Sequence, residues 1–175
     1  MSSTPRTLAL VLAVLLGAAS ARADSSPEPR YGPCRAERVI DGATLDVRCG
    51  AERVRVRLLG LAPPGAGETG HSEAARAVRA LLRGRELFLA FETPGLPTLD
   101  RDGLLRVYLY DRAAQNLNVA IVSLGWAAYA PGSAPDPLAL HFEAAERQAR
   151  AEQRAMWTVW VYNAGRGDPG DDPEP

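Results

Sequence analysis

The stretch that most constrains the fold is residues 39 to 67, VIDGATLDVRCGAERVRVRLLGLAPPGAG. Arginine at 53, 55 and 57 alternates with Val54, Val56 and Leu58, the period-two pattern of a strand with one face buried. Asp41-Gly42 lies just upstream. That dipeptide signals a two-residue hairpin turn, because both central positions need positive φ. Strands over 34–40, 43–49 and 53–61, with Gly50-Ala51 as the second turn, make a three-stranded meander. The run from Ala62 to Gly67 holds two prolines without N–H donors and two conformationally free glycines, so it reads as a loop.

The rest of the chain fits around that meander. Ser72 caps a predicted helix in which Ala75, Val78, Leu81 and Leu82 recur at helical spacing, and Gly84 stops it. Arg85 to Phe91 reads as a fourth strand and Leu104 to Tyr110 as a fifth, separated by a Pro/Gly-containing excursion over 93–103. Asn116 or Asn118 caps a short helix ending at Gly125. Asp136-Pro137 opens a last helix, expected to reach about Trp157. Five short strands with one helix between them and two after them make a small barrel with helices, a mainly β class.

The ends fall outside that unit. Residues 1–23 combine Arg6, an apolar run from Leu8 to Leu16 and Ala21-Arg22-Ala23, the pattern of a cleaved secretory signal. An uncleaved anchor is the alternative, although the run is shorter than the roughly 20 residues that span a bilayer. Residues 24–33 read as a flexible lead-in, 34–162 as the folded domain and 163–175 as a disordered acidic tail. The formal charge is −1 and the chain has no lysine. Losing Arg6 and Arg22 leaves 18 of 20 cations against 21 anions, and the tail carries the resulting deficit. The folded part is therefore near neutral, which weakens strong nucleic-acid binding but leaves room for a local arginine cluster.

Two cysteines in an exported chain suggest a disulfide. With the turn at Asp41-Gly42, Cys34 and Cys49 face each other across the hairpin. Ideal parity puts them at a hydrogen-bonded pair, where side chains sit farther apart, so a bulge or fraying is expected. Two separate buried thiols are the alternative.

The motifs VIDGAT, RLLGLAPPG and DRDGL, with the helix-like GHSEAARAVRALLRG and the closing FEAAERQARAEQRAMW, resemble the staphylococcal nuclease-like (thermonuclease) family from about Cys34 to Trp157. The resemblance implies a five-stranded OB-fold barrel with about three helices and hydrolysis of DNA or RNA at a Ca²⁺ site. The family's metal-binding aspartates fall at Ala43 and Ala62, its general-base glutamate at Gly65 and one of its two arginines at Leu104. Of these five groups only Arg57 survives, with Asp41, which in the family sits beside the metal, and Thr44 as further remnants.

Rescue in place would use Glu68, three residues beyond the emptied base position, and Arg106 for the missing arginine; the plainer reading is a solvated loop charge and an exposed strand residue. His71 and His141 have no evident partner in sequence, and two histidines with bridged cysteines do not make a zinc site. Trp126, Tyr129, Trp157 and Trp160 offer stacking surfaces or helix-end packing. Two functions follow. One is a catalytically degenerate exported module without metal or cofactor, with Arg57, Arg106 and Tyr129 as ligand contacts. The other is a weak nuclease needing Ca²⁺ or another divalent ion. The expected product is periplasmic or extracellular, monomeric and free of the membrane after signal cleavage, with weak nucleic-acid contact at most and its partner unidentified.

Overall fold

The computed structural model describes residues 30–132 and 136–158. The expected signal peptide, most of the lead-in and the acidic tail lie outside these residues. Five strands, β1 (Arg30–Val39), β2 (Thr44–Cys49), β3 (Glu52–Leu58), β5 (Leu87–Ala90) and β6 (Leu105–Asp111), close into a barrel in the order β1-β2-β3-β6-β5. All neighbours are antiparallel except β3 and β6. Two short strands, β4 (Leu61–Ala62) and β7 (Ala128–Tyr129), pair separately. Three helices, α1 (His71–Leu82), α2 (Leu117–Ser123) and α3 (Ala139–Ala151), complete the described fold. It is the expected class: an OB-type five-stranded barrel with helices.

Alternation fills the barrel. Leu45, Val47, Val56, Leu58, Leu87, Leu89, Val107 and Leu109 are all buried, and α1 adds Val78 and Leu82. Burying each such side chain stabilises by about 1.5–3 kcal/mol, so this layer dominates the fold's stability. Outside the barrel wall, Tyr108 of β6 packs near Phe142 of α3, with ring centroids 6.5 Å apart. Asn118 locks α2 to the wall: its Oδ1 accepts the Leu109 N–H at 2.9 Å, while its Nδ2 donates to the Leu59 and Val107 carbonyls at 2.9 and 3.2 Å. The α2 cap is Asn116, whose side chain accepts the Val119 N–H.

The Cys34–Cys49 disulfide is present, with Cα atoms 4.2 Å apart. Glu37 provides the bulge: Ala36 lies opposite Val47 but Arg38 lies opposite Asp46. The extra residue changes the parity, so the cysteines occupy a close pair of the non-hydrogen-bonded kind.

Several local expectations are corrected. The β1–β2 turn is not a two-residue one, and neither Asp41 nor Gly42 has positive φ. Instead Asp41 Oδ1 accepts the N–H groups of Ala43 and Thr44, both at 2.7 Å, so a side chain rather than a left-handed backbone makes the reversal. Strand β1 begins at Arg30, inside the stretch read as lead-in. Strand β3 stops at Leu58 rather than 61, because Gly60 has φ 74 and a Cβ there would lie 2.8 Å from Phe142. Helix α1 is capped by Gly70, not Ser72. Helix α3 ends at Ala151, short of Trp157, where Gln153 and Ala155 take positive φ and the Arg154 carbonyl crosses over Gly125.

Candidate functional site

The β1–β2 turn and the Ala62–Gly67 loop meet. A Cβ built on Gly42 would lie 2.5 Å from Pro63 Cβ and 3.2 Å from Ala74 Cβ, so only glycine allows the turn, the loop and α1 to close together. Ala43 is 1 % exposed, and its carbonyl accepts the Leu58 N–H. Position 43 therefore contributes a buried methyl group and no side-chain oxygen. Beside it, Thr44 is 4 % exposed and its Oγ1 is buried without a hydrogen-bond partner.

Arg57 lies opposite Thr44 on one side and Arg106 on the other. The structure thus brings Arg57 and Arg106 side by side. Both are engaged. Arg57 Nε lies 3.4 Å from Asp100 Oδ2 and its Nη2 3.4 Å from Asp102 Oδ2. Asp100 also accepts the Asp102 and Leu104 N–H groups through Oδ1, both at 2.9 Å. Burial raises the Asp100 pKa, but those N–H groups and Arg57 outweigh it and hold the carboxyl below its ordinary value. Arg106 Nη2 lies 3.4 Å from Glu92 Oε1.

Glu68 does not swing toward Arg57. Its Oε2 accepts the Gly65 N–H at 2.6 Å, closing the loop on itself. His71 Nδ1 meets the Pro64 carbonyl at 2.9 Å, tying the start of α1 to the same loop. His141 is exposed on α3. At this loop lies a groove of about 520 Å³, lined by apolar residues including Pro63, Pro64, Met156 and Trp157, with Glu68 and Arg150 as its charged members. The Arg150 guanidinium covers the Trp157 ring at 4.0 Å, and Trp157 is only 5 % exposed.

Tyr129 is also committed. Its ring stacks on Phe142 at 4.9 Å and its hydroxyl donates to Asp136 Oδ2 at 3.0 Å. Asp136 Oδ1 accepts the Tyr108 hydroxyl at 2.9 Å and the Leu138 N–H at 2.8 Å. Burial, then the bond to Asp136, pushes the Tyr129 pKa to about 12, and the same causes push Tyr108 higher still. Tyr129 therefore has one ring face and its hydroxyl committed within the fold. Trp126 is half-buried, and Trp160 lies outside the described residues.

Chemically, the carboxylates around the site are already engaged: Asp41 Oδ1 holds two backbone N–H groups, Glu68 holds the Gly65 N–H, and Asp100 and Asp102 face Arg57. Calcium takes six to eight oxygens, several of them carboxylate, so these residues do not fit that ion. Among the described residues no group of three or more His, Cys, Asp or Glu side chains is placed to hold a metal. The sequence reading missed the residues that occupy the arginines: Asp100, Asp102 and Glu92. The Asp100-Arg101-Asp102-Gly103 run signals a turn, but not that its carboxylates reach Arg57. No protein-family model matches the chain, and a search of curated proteins finds no match.

Proposed function

We propose that the protein is an exported member of the staphylococcal nuclease-like family that has lost hydrolytic chemistry and works as a binding module. One observation carries this reading: the polar groups around the emptied positions are spent within the fold. Asp41 holds its own turn, Glu68 holds its own loop, and Arg57 is matched by Asp100 and Asp102. Phosphodiester hydrolysis needs an activated water and charge stabilisation at phosphorus. Asp41, Glu68 and Arg57 are thus not free for those tasks. The barrel with its helices supports the family assignment, and the Cys34–Cys49 bridge supports export, since such bonds persist in oxidising compartments.

Calorimetric titration of Ca²⁺ into the mature protein tests the premise. No saturable heat is expected at millimolar ion. A single site with micromolar affinity, lost in Asp41→Asn, would overturn the reading.

A further inference from the structure

The exterior of β1, β2 and β3 carries arginines at successive levels. Arg35, Arg48 and Arg53 lie opposite one another at the first level, and Arg38, Asp46 and Arg55 at the second. Levels repeat about every 6.7 Å along the strands, and neighbouring strands lie about 4.8 Å apart. Five arginines share this patch with two carboxylates, Glu37 and Asp46, which leaves three positive charges on a chain of formal charge −1.

The carboxylates lie beneath the guanidinium groups. The Arg48, Arg53 and Arg55 side chains are 44 %, 60 % and 49 % exposed, against 24 % for Glu37 and 9 % for Asp46. Glu37 takes the Nε of both Arg48 and Arg53. Asp46 takes the Nε and Nη2 of Arg55 at 2.7 and 3.2 Å. A guanidinium has five N–H donors, so those of Arg48 and Arg53 keep donors for an outside partner while the acid below fixes their direction. Arg35 and Arg38 are exposed and make no ion pair among the described residues. The Cys34–Cys49 bridge adjoins the Arg35–Arg48 pair and holds the two strands in register. The main helix packing falls on β1 and β6, leaving β2 and β3 without a helix as a principal neighbour.

The patch is three strands wide, about 10 Å, on a curved barrel wall. That shape suits a linear chain better than a flat membrane. No aromatic side chain stands on these levels, so nucleic-acid bases would find nothing to stack on. Faces of this kind on OB-type barrels hold oligonucleotides or oligosaccharides. We propose that the arginine face docks an anionic polysaccharide through its sulfate groups, each taken by the terminal nitrogens of a guanidinium. This names the ligand class of the binding-module reading and rests on it.

The test is fluorescence anisotropy of a labelled sulfated hexasaccharide with the mature protein. A desulfated hexasaccharide and an oligothymidylate of equal charge serve as comparisons. The sulfated chain should bind, weakening with salt as about three counter-ions are released, and the desulfated chain should not. Arg48→Ser with Arg53→Ser should weaken binding about tenfold or more. Arg35→Ser, which leaves no carboxylate without its partner, should weaken it several-fold. Absence of binding at low salt, binding unchanged in both variants, or oligothymidylate binding as tight as the sulfated chain would each overturn the proposal. None of these results bears on catalysis, which the Ca²⁺ titration tests separately.

Discussion

Restoring Ala43→Asp and Ala62→Asp together probes whether an intact barrel has merely lost its metal-binding groups. Position 43 is 1 % exposed, and Arg57 nearby is already matched by two carboxylates. A new charge there has no free partner, and uncompensated burial costs several kcal/mol. In chelator the double variant should be less stable by roughly 2–4 kcal/mol. For a domain of this size about 1 kcal/mol moves the melting point by roughly 3–5 °C, so a fall of roughly 6–20 °C is expected. Calcium should return part of it. A weak site has a Kd of about 0.1–1 mM, so 10 mM Ca²⁺ adds about 1.4–2.7 kcal/mol, or roughly 4–13 °C. Scanning calorimetry with and without Ca²⁺ reads both effects, with the wild type as control. An absent Ca²⁺ effect in the double variant would refute the convergence of positions 43 and 62. An equal effect in the wild type would refute the loss of the site. Hydrolysis should require Gly65→Glu and Leu104→Arg as well, since such groups act as a unit. A Cβ at Gly65 would lie 3.4 Å from the Glu68 carboxylate, so Glu68→Ala should accompany that change.

Replacing both cysteines with serine opens a link between residues 15 apart; the expected loss is about 3 kcal/mol on the chain-entropy model, and a melting point unmoved by reduction would contradict it. Gly42→Ala forces a methyl group against Pro63 Cβ, 2.5 Å away, and should cost about 1–3 kcal/mol as overpacking; an unchanged denaturant midpoint would mean that turn and loop stand apart. Arg48 and Arg55 hold the carboxyls of Glu37 and Asp46 below their ordinary values of 4.5 and 3.8. Folding stability from depressed carboxyls is full above those values and lost as the pH falls through the lower folded ones. Asp46→Asn should therefore lose less stability than the wild type on acidification below pH 3.8, and parallel pH profiles would refute the pairing.

The barrel was legible because its information is local. The Arg53–Leu58 alternation and Gly84 each act within a few residues, and so does the reversal at Asp41-Gly42, whose place was legible but whose type was not. What was hidden depends on distant partners. Asp100 and Asp102 meet Arg57 across more than 40 residues, and no spacing rule predicts that. Asn118 offered itself as a helix cap, yet it is fully buried and joins α2 to β6 and to the Leu59 carbonyl. The end of α3 was misplaced because Gln153 and Ala155 take positive φ where Arg154 between them meets Gly125 and Ser123, which come from elsewhere in the fold. The arginine face combines both cases. Each arginine was visible, but only the register of β1, β2 and β3 sets Arg35, Arg48 and Arg53 in one row.

The central claim is that the site no longer hydrolyses nucleic acid, and a degradation assay tests it most directly. Purified protein would be incubated with single-stranded DNA, duplex DNA and RNA, each with Ca²⁺, Mg²⁺, Mn²⁺ or chelator, beside a Glu68→Gln variant. Lost chemistry predicts no cleavage above the protein-free control with any ion. Metal-dependent cleavage by the wild type that Glu68→Gln abolishes would contradict it, and would establish a rearranged nuclease with Glu68 as its base.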